Sequence, residues 1–141
     1  MKPGVDYIGV GCGAVIKNSE GKVLLMKRGP LSKSEPNTWC IPGGAVEFNE
    51  RMEDAVVREI KEELYVDIEV VKQYGCANHI MPAEGKHWVS TIFLCKINKG
   101  EPKVMEPGKC DEIGWFSVEE MKNLPLGVIM EENLKLMQKD E

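Results

Sequence analysis

The sequence predicts a single α/β domain in which a mixed sheet and its helices form a sandwich. Strand-like segments rich in Val and Ile occur both before and after one central helical segment, whereas a doubly wound sheet would alternate them with several helices. The chain has 141 residues, the usual size of one domain with a sizeable core. We therefore expect residues 1–141 to fold as one domain.

The first elements are two strands and a loop. Residues 7–16 and 22–27 are apolar, and an Asn-Ser-Glu-Gly turn separates them, so they predict a hairpin. Residues 28–38 contain Pro, Gly and Ser and predict a surface loop. Residues 39–41 form a short extended piece that ends at Pro42-Gly43-Gly44.

The central helix is predicted at residues 50–64. Asn49 is placed to cap its first turn, and Glu50, Glu53 and Asp54 lie where the helix dipole favours negative charge. Three further strand-like segments follow at 66–76, 87–97 and 113–116.

The end of the chain predicts a short helix and a closing helix. Ser117 and Glu120 are spaced as a capping box. Residues 125–139 carry apolar side chains near helical spacing and predict a helix that packs on the fold or serves a dimer interface.

Charge and cysteine usage exclude several classes of protein. The net charge is −5, and residues 44–66 hold seven acids and three bases, so no basic stripe for nucleic acid is present. The five cysteines are odd in number and lack the C-x-x-C spacing of zinc sites. The first residues lack a signal peptide core, and no apolar run reaches transmembrane length. We expect a cytoplasmic protein that binds neither nucleic acid nor membrane.

Three glutamates on the central helix carry the chemistry. Glu59, Glu62 and Glu63 share one face, because helical residues three or four apart are neighbours. Their like charges destabilise a helix, and a bound Mg²⁺ or Mn²⁺ would remove the repulsion. The cluster taken alone is more typical of a solvated helix face. Gly43 and Gly44 favour the metal, because glycines let the backbone approach an ion closely.

The stretch that begins at Gly44 reads G-A-V-E-F-N-E-R-M-E-D-A-V-V-R-E-I-K-E-E-L-Y-V. It resembles the Nudix box, G-x5-E-x7-R-E-U-x-E-E-x-G-U, where U is a bulky aliphatic residue. The residues on pattern positions are Gly44, Glu50, Arg58, Glu59, Ile60, Glu62, Glu63 and Val66. Tyr65 replaces the family glycine. With the flanking W-C-I-P-G-G and E-I-G-W-F, the resemblance covers roughly residues 7–123 and implies a Nudix α/β/α sandwich with a mixed sheet.

The resemblance implies a role for each matching residue. Glu59, Glu62 and Glu63 would hold Mg²⁺ or Mn²⁺, directly or through water, together with the Gly43 carbonyl. Arg58 would belong to the catalytic set by pairing with a box glutamate and fixing its rotamer. The supporting residues would be Gly44 beside the cluster and Glu50 in the first turn. Glu47 is either a turn residue or a supporting carboxylate.

The general base varies within this family. Glu59 and Glu62 are candidates, and so is an acid downstream of the box. For that acid we expect Glu112 first, with Asp111 and Glu106 as alternatives.

The family glycine would end the helix in a left-handed conformation. That conformation costs an ordinary residue roughly 1 kcal/mol. We therefore expect Tyr65 to lower stability slightly and to leave activity intact.

The implied activity is hydrolysis of a diphosphate bond in a nucleoside diphosphate linked to another group. The stretches E-G-K-H-W-V and E-P-K-V-M-E-P-G-K-C look similar to MutT-like enzymes, which favours a nucleoside triphosphate cut to monophosphate and pyrophosphate. ADP-ribose, a dinucleotide or a sugar nucleotide is the alternative substrate. A non-catalytic nucleotide-binding module is the alternative of another class, and the family also makes a homodimer plausible.

Overall fold

A computed structural model describes residues 1–139 as two β-sheets between two long helices. The strands are β1 (Gly9–Ile16), β2 (Val23–Arg28), β3 (Trp39–Cys40), β4 (Gly43–Ala45), β5 (Asp67–Met81), β6 (Lys86–Lys99) and β7 (Cys110–Phe116). The helices are α1 (Met52–Leu64), α2 (Val118–Met121) and α3 (Val128–Lys139), with a 3-10 turn at Pro82–Glu84. This is the predicted α/β/α sandwich.

The two sheets differ in their topology. The larger sheet has the strand order β4-β1-β6-β5, and it is mixed because β1 runs parallel to β6 while the other pairs are antiparallel. The smaller sheet has the order β3-β2-β7 and is antiparallel throughout. The mixed sheet is thereby confirmed.

Each long helix covers its own core. Ala55, Val56, Ile60 and Leu64 of α1 are fully buried against side chains from both sheets. Helical spacing predicts Val56, Val57, Ile60 and Leu64 as this face, and Val57 is only partly buried. On the opposite side, α3 packs against β5 and β3, and its buried residues join a second apolar cluster with residues of β1 and β2. The sheets are thus held between two separate cores.

The predicted hairpin of the first two strands is wrong. β1 belongs to the larger sheet and β2 to the smaller one, and one isolated bridge between Lys17 and Val23 joins them. The strands separate because β1 pairs along its whole length with β6 and β2 pairs with β7. These partners lie far along the chain, and local turn signals do not report them.

The start of α1 also differs from the prediction. The helix begins at Met52, its N-cap is Arg51, and no side chain caps it. Asn49 lies earlier in a left-handed turn with φ of 67°, a conformation that Asn tolerates. Glu50 lies before the helix and accepts a hydrogen bond from the Glu47 amide at 3.1 Å.

Later elements keep their predicted type, but their limits move. β5 continues as far as Met81, and β6 begins at Lys86. The two strands pair with each other over this added length. β7 begins earlier, at Cys110, and α3 begins later, at Val128. The capping box of Ser117 and Glu120 is present as predicted.

Tyr65 ends α1 in the left-handed conformation that the family glycine would adopt. Tyr65 has φ of 59° and ψ of 37°, and its amide donates to the Lys61 carbonyl. The Lys61 and Lys103 ammonium groups lie 4.7 Å and 4.8 Å from the centroid of the Tyr65 ring. Cation–π contacts therefore offset part of the backbone strain.

The helices are short, and the cysteines are unpaired. Within residues 1–139, no helix is long and apolar enough to cross a membrane. All five cysteines have free thiols, and four of them are buried, where a thiol behaves as a small apolar group.

Candidate active site

Arg58 is the centre of an ion-pair network at the edge of α1. Its Nε and Nη2 donate to the two carboxylate oxygens of Glu50 at 2.7 Å and 2.9 Å. Its Nη1 donates to Glu59 at 3.1 Å and to Glu62 at 3.3 Å. The planar guanidinium suits this fork of contacts, which a lysine could not make. One arginine therefore fixes three of the carboxylates named by the sequence.

The same arginine connects α1 to β4. Its Nη2 donates to the Ala45 carbonyl at 3.1 Å, and its Nη1 lies 3.6 Å from the exposed carboxylate of Glu47. Glu50 gains the Arg58 hydrogen bonds and the Glu47 amide, and together they lower its pKa to about 2. Glu50 is therefore a fixed negative charge, and Glu47 contacts the network at its solvent side.

Glu63 lies on the other side of the cluster. Its Oε1 accepts a hydrogen bond from the Gly43 amide at 3.1 Å, which ties α1 to the start of β4. Burial, followed by the negative charge of Glu59, raises the pKa of Glu63 to about 8. Burial also raises the pKa of Glu59. These two carboxylates resist ionisation, unlike Glu50.

Gly44 lies against the Glu59 carboxylate. A Cβ atom at position 44 would overlap that carboxylate group, so any other residue would push Glu59 out of place. The close approach explains why this position needs glycine.

The cluster fits a hard divalent cation. Its available donors are all oxygens, and two of the carboxylates are held in surroundings that oppose their negative charge. Within residues 1–139, no three acidic, His or Cys side chains already converge as a closed metal site. Arg58 binds one oxygen of Glu59 and one of Glu62, while Glu63 accepts a hydrogen bond from the Gly43 amide.

The structure brings Glu106 to this cluster, and it leaves Glu112 apart. Glu106 lines the same cavity as Glu63, and its charge contributes to the raised pKa of Glu63. Glu112 is exposed on β7 opposite Lys27, on the other face of the sheet from the core residue Ile113. Asp111 is the extra residue of a bulge, since Lys27 pairs with Glu112 and Arg28 with Cys110.

The segment before β7 positions Glu106 through the end of α1. The Lys103 amide donates to the Leu64 carbonyl at 3.1 Å, and the Met105 amide donates to the Glu63 carbonyl at 3.2 Å. Carbonyls of the last helical turn lack partners within the helix. The segment from Gly100 to Lys109 supplies them and so places the next acid beside Glu63.

Two cavities meet at Gly43. The first, which we call the carboxylate cavity, has a volume of about 370 Å³, and its lining includes Glu63, Glu106, Cys40 and Lys109. The second, which we call the α3 cavity, has a volume of about 230 Å³ and lies between Trp88, His79 and helix α3. Arg28, Ile41 and Gly43 line both cavities, so the two cavities are neighbours.

Arg28 is a site residue that the sequence reasoning missed. Its Nε donates to the Cys40 thiol at 3.3 Å, and its Nη1 donates to the Ser34 carbonyl at 3.2 Å. The available signal was a cation directly after a buried apolar strand. His79, Trp88 and Asn133 of the α3 cavity were also missed as a group, because their distance along the chain gives no motif.

The fold and the site together define the class of protein: an α/β/α sandwich whose central helix presents a carboxylate cluster to a glycine pair. The chain belongs to the NUDIX domain family, which matches residues 8–137. It is thus a member of the Nudix hydrolase family, as the box at Gly44 predicts.

Relatives and solved structures agree with this assignment. An ADP-ribose pyrophosphatase of Methanocaldococcus jannaschii is 35% identical over 112 residues, which are 78% of this chain and 61% of that protein. A nudix hydrolase of Caenorhabditis elegans is 30% identical over 121 residues, which are 84% of this chain and 30% of that protein. This chain therefore spans less than two thirds of the length of these relatives.

One solved structure matches along nearly its whole length. The MutT Nudix hydrolase of Burkholderia pseudomallei superposes with a TM-score of 0.82 at 37% identity, covering 93% of this chain and 98% of that chain. The E. coli ORF135 protein shares the fold with a TM-score of 0.71 at 23% identity. The predicted family and fold are both confirmed.

Proposed function

We propose that this protein is a metal-dependent hydrolase that cuts a diphosphate bond in a nucleoside diphosphate linked to another group. One observation carries the proposal: Arg58 binds Glu50, Glu59 and Glu62 at one edge of α1, and the Gly43 amide binds Glu63, which lines the carboxylate cavity. The favoured reaction converts a nucleoside triphosphate to its monophosphate and pyrophosphate. The whole-length likeness to a MutT protein supports that choice.

The cation would be held by Glu59, Glu62, Glu63 and the Gly43 carbonyl. Mg²⁺ or Mn²⁺ suits these oxygen ligands, and when bound it polarises the phosphate and lowers the pKa of a coordinated water. Glu59 and Glu63 face surroundings that raise their pKa values, so a positive ion there relieves the conflict.

The residues around the cation site have separate tasks. Arg58 restrains the rotamers of Glu59 and Glu62, and Glu50 fixes Arg58 from the opposite side. The proton of the attacking water is accepted by Glu59, Glu62 or the downstream acid. Glu106 now replaces Glu112 as that downstream acid, because Glu106 lines the carboxylate cavity.

Arg28 would hold the phosphates. Arg28 lines both the carboxylate cavity and the α3 cavity, and it is the cation that the two cavities share. An arginine binds phosphate through a planar pair of N–H donors. The nucleoside would then extend into the α3 cavity, away from the carboxylates.

The test is a substrate panel with purified protein and Mg²⁺ or Mn²⁺. It contains normal and oxidised deoxynucleoside triphosphates, ADP-ribose, dinucleotides and sugar nucleotides, with product phosphate or pyrophosphate measured by coupled assays. We expect release of pyrophosphate from a triphosphate. Activity only on ADP-ribose, as the name of the archaeal relative suggests, would keep the mechanism and change the substrate.

Matched variants separate catalysis from binding. Glu62→Gln and Glu63→Gln should each abolish metal-dependent turnover, while Glu53→Gln, on the same helix but paired with Arg51, should not. Nucleotide binding without turnover in the wild type, with either metal, would favour the non-catalytic module. A homodimer and a cytoplasmic location stay predictions.

A further inference from the structure

Positive charge gathers at the wall of the carboxylate cavity. The cations in its lining are Arg28, Lys33 and Lys109, and the acids are Glu63 and Glu106. Cations therefore outnumber acids in this lining, although the whole chain carries a net charge of −5. A local excess of one sign of charge in a cleft attracts ligands of the opposite sign.

Two of these cations have no carboxylate partner among residues 1–139. Arg28 donates to neutral groups, the Cys40 thiol at 3.3 Å and the Ser34 carbonyl at 3.2 Å. The Lys33 ammonium makes no hydrogen bond or ion pair within the described range. An unpaired cation at a cavity wall favours an anionic ligand, because a partly desolvated charge is costly until it is paired.

The backbone at Lys33 is held in place. Its carbonyl accepts a hydrogen bond from the Lys86 ammonium at 3.2 Å. The hydroxyl of the next residue, Ser34, donates to the Glu84 carboxylate at 2.7 Å, and the Ser34 carbonyl accepts from Arg28. The end of β2 and the turn between β5 and β6 thus fix this part of the loop. The Lys33 side chain therefore starts from a fixed point at the cavity.

The loop that carries Lys33 lies directly against the segment that carries Lys109. The Gly29 amide donates to the Lys109 carbonyl at 2.8 Å, and a Cβ at position 29 would overlap the Gly108 carbonyl oxygen. Lys109 pairs with Glu106 at 3.2 Å, but its side chain is 78% exposed, and an exposed ion pair of this kind is weak. A phosphate group can therefore displace Glu106 from Lys109.

We propose that Lys33 is a specificity-determining residue that binds the terminal phosphate of a polyphosphate chain, with Lys109 as the second cation. This inference rests on the proposed function, in which the box site and Arg28 hold the phosphates next to the scissile bond. A nucleoside triphosphate has a further phosphate for the two lysines, whereas a neutral sugar in that place leaves them without an anion. The site thus selects its substrate by the charge of the group beyond the scissile bond.

The first test varies the charge of the terminal phosphate. For the best triphosphate of the panel, kcat and KM are compared with those for its γ-monomethyl ester, which keeps the chain length and has less negative charge. We expect the wild type to lose roughly 10-fold in kcat/KM with the ester, mainly through KM. Lys33→Met should lose a similar factor on the parent triphosphate and should discriminate little against the ester. Equal discrimination by wild type and variant would overturn the proposal.

Two control variants separate the charge of Lys33 from a general effect of removing a lysine. Lys122 pairs with Glu119 at the same spacing of three residues as the Lys109 pair, but it is outside the linings of both cavities. Lys122→Met should leave the kinetics unchanged. Lys33→Arg keeps the positive charge and should keep most of the preference for the parent triphosphate. Loss of that preference in Lys33→Arg, as large as in Lys33→Met, would contradict a charge-based role.

Salt dependence is a second readout, and a merely structural role of the lysines would not change it. Salt screens contacts between exposed charges. The KM of the wild type for the triphosphate should therefore rise with KCl concentration more steeply than the KM of Lys33→Met. The double variant Lys33→Met/Lys109→Met should be the least sensitive. Parallel salt profiles for the wild type and the double variant would count against the proposal.

Equilibrium binding distinguishes failure of this inference from failure of the proposed function. Inorganic pyrophosphate is titrated into wild type and Lys33→Met in Mg²⁺, so no turnover is needed. Binding that is roughly 10-fold weaker in the variant, in a protein that hydrolyses nothing, would keep the anion site and reject the hydrolase. Triphosphate turnover with the same KM in Lys33→Met would reject the inference and keep the hydrolase. A higher kcat/KM for ADP-ribose than for every triphosphate would also overturn the inference.

Discussion

The helices α1 and α3 cover opposite faces of the sheets, and they use polar residues in opposite ways. α1 gathers several carboxylates at its edge and holds them with Arg58, so charge is concentrated and partly exposed. α3 buries a single amide, Asn133, which is 2% exposed and bonded to one histidine. The first arrangement presents charged oxygens near the surface, and the second holds one neutral amide inside the fold.

The ends of the two helices differ as well. α1 begins without a side-chain cap and ends at a strained left-handed Tyr65. The first amides of α3 are instead bound by Glu35, which lies in a distant loop. Its carboxylate accepts hydrogen bonds from the amides of Val128 and Ile129. A Cβ at Gly127 would overlap this carboxylate. The hydrogen bonds of Arg58 and Glu63 thus hold α1 in place, whereas the loop residue Glu35 holds the start of α3.

The largest effect is expected from breaking the α1 network. Arg58→Met should lower kcat/KM by roughly 100-fold, because residues that orient metal ligands typically matter to that extent. Arg58→Lys should not rescue it, since an ammonium lacks the planar fork. Arg51→Met removes an exposed arginine of the same helix and should change stability by less than about 0.5 kcal/mol. Equal kinetics for both arginine variants would show that the network is only structural.

The second prediction concerns pH and the metal-free protein. The pKa of Glu63 is about 8 in the fold, above its ordinary value of 4.5. Between these two pH values Glu63 is protonated in the folded protein and ionised in the unfolded protein. Stability should therefore fall as pH rises from 5 to 8, by on the order of 2 kcal/mol. Glu63→Gln should remove this decline, measured by urea unfolding in EDTA.

Added metal should reverse the decline. A cation that binds the ionised cluster stabilises the fold at pH 8 more than at pH 5. Wild-type protein that shows the same pH profile with Mg²⁺, Mn²⁺ or EDTA would count against the metal site.

The third prediction tests how α3 is held. Glu35→Gln should lower the free energy of unfolding by about 1 kcal/mol, the usual effect of losing a helix cap. Glu131→Gln removes an acid from the first turn of the same helix without removing the cap, and should have less than half that effect. Thermal unfolding of both variants measures the difference, and equal shifts would mean that Glu35 acts only through its charge.

The smallest effect is expected at the end of α1. Tyr65→Gly should raise the free energy of unfolding by about 0.5 kcal/mol, because it relieves roughly 1 kcal/mol of strain and loses weaker cation–π contacts. Tyr65→Ala keeps the strain and loses the contacts, so it should be less stable than wild type. A large gain in activity for Tyr65→Gly, without a gain in stability, would place Tyr65 in the site.

The sequence predicts the α1 site well because its contacts are local. Every partner that Arg58 has among the described residues lies between residues 45 and 62, so the geometry of one helix and one turn sets their spacing. The α3 cavity is different. His79 and Asn133 are 54 residues apart, and only the packing of α3 on the sheet brings them together.

The errors have the same origin. The sheet assignment of β1 and β2 depends on β6 and β7, which lie far along the chain. The positions of Glu106 and Glu112 depend in the same way on a bulge at Asp111 and on a segment bound to the end of α1, so the role predicted for Glu112 stays a prediction. Asn49 resembled a helix cap, but the chain uses it as a left-handed turn residue.

The hydrogen bonds from Lys103 and Met105 to the end of α1 have a consequence for divergence within the family. They anchor only the first part of the connection between β6 and β7, so residues 106–109 can change in length without disturbing the helix. Insertions there would move the downstream acid while the box stays intact. A library of loop lengths in this connection would measure how far the position of Glu106 can change while α1 stays in place.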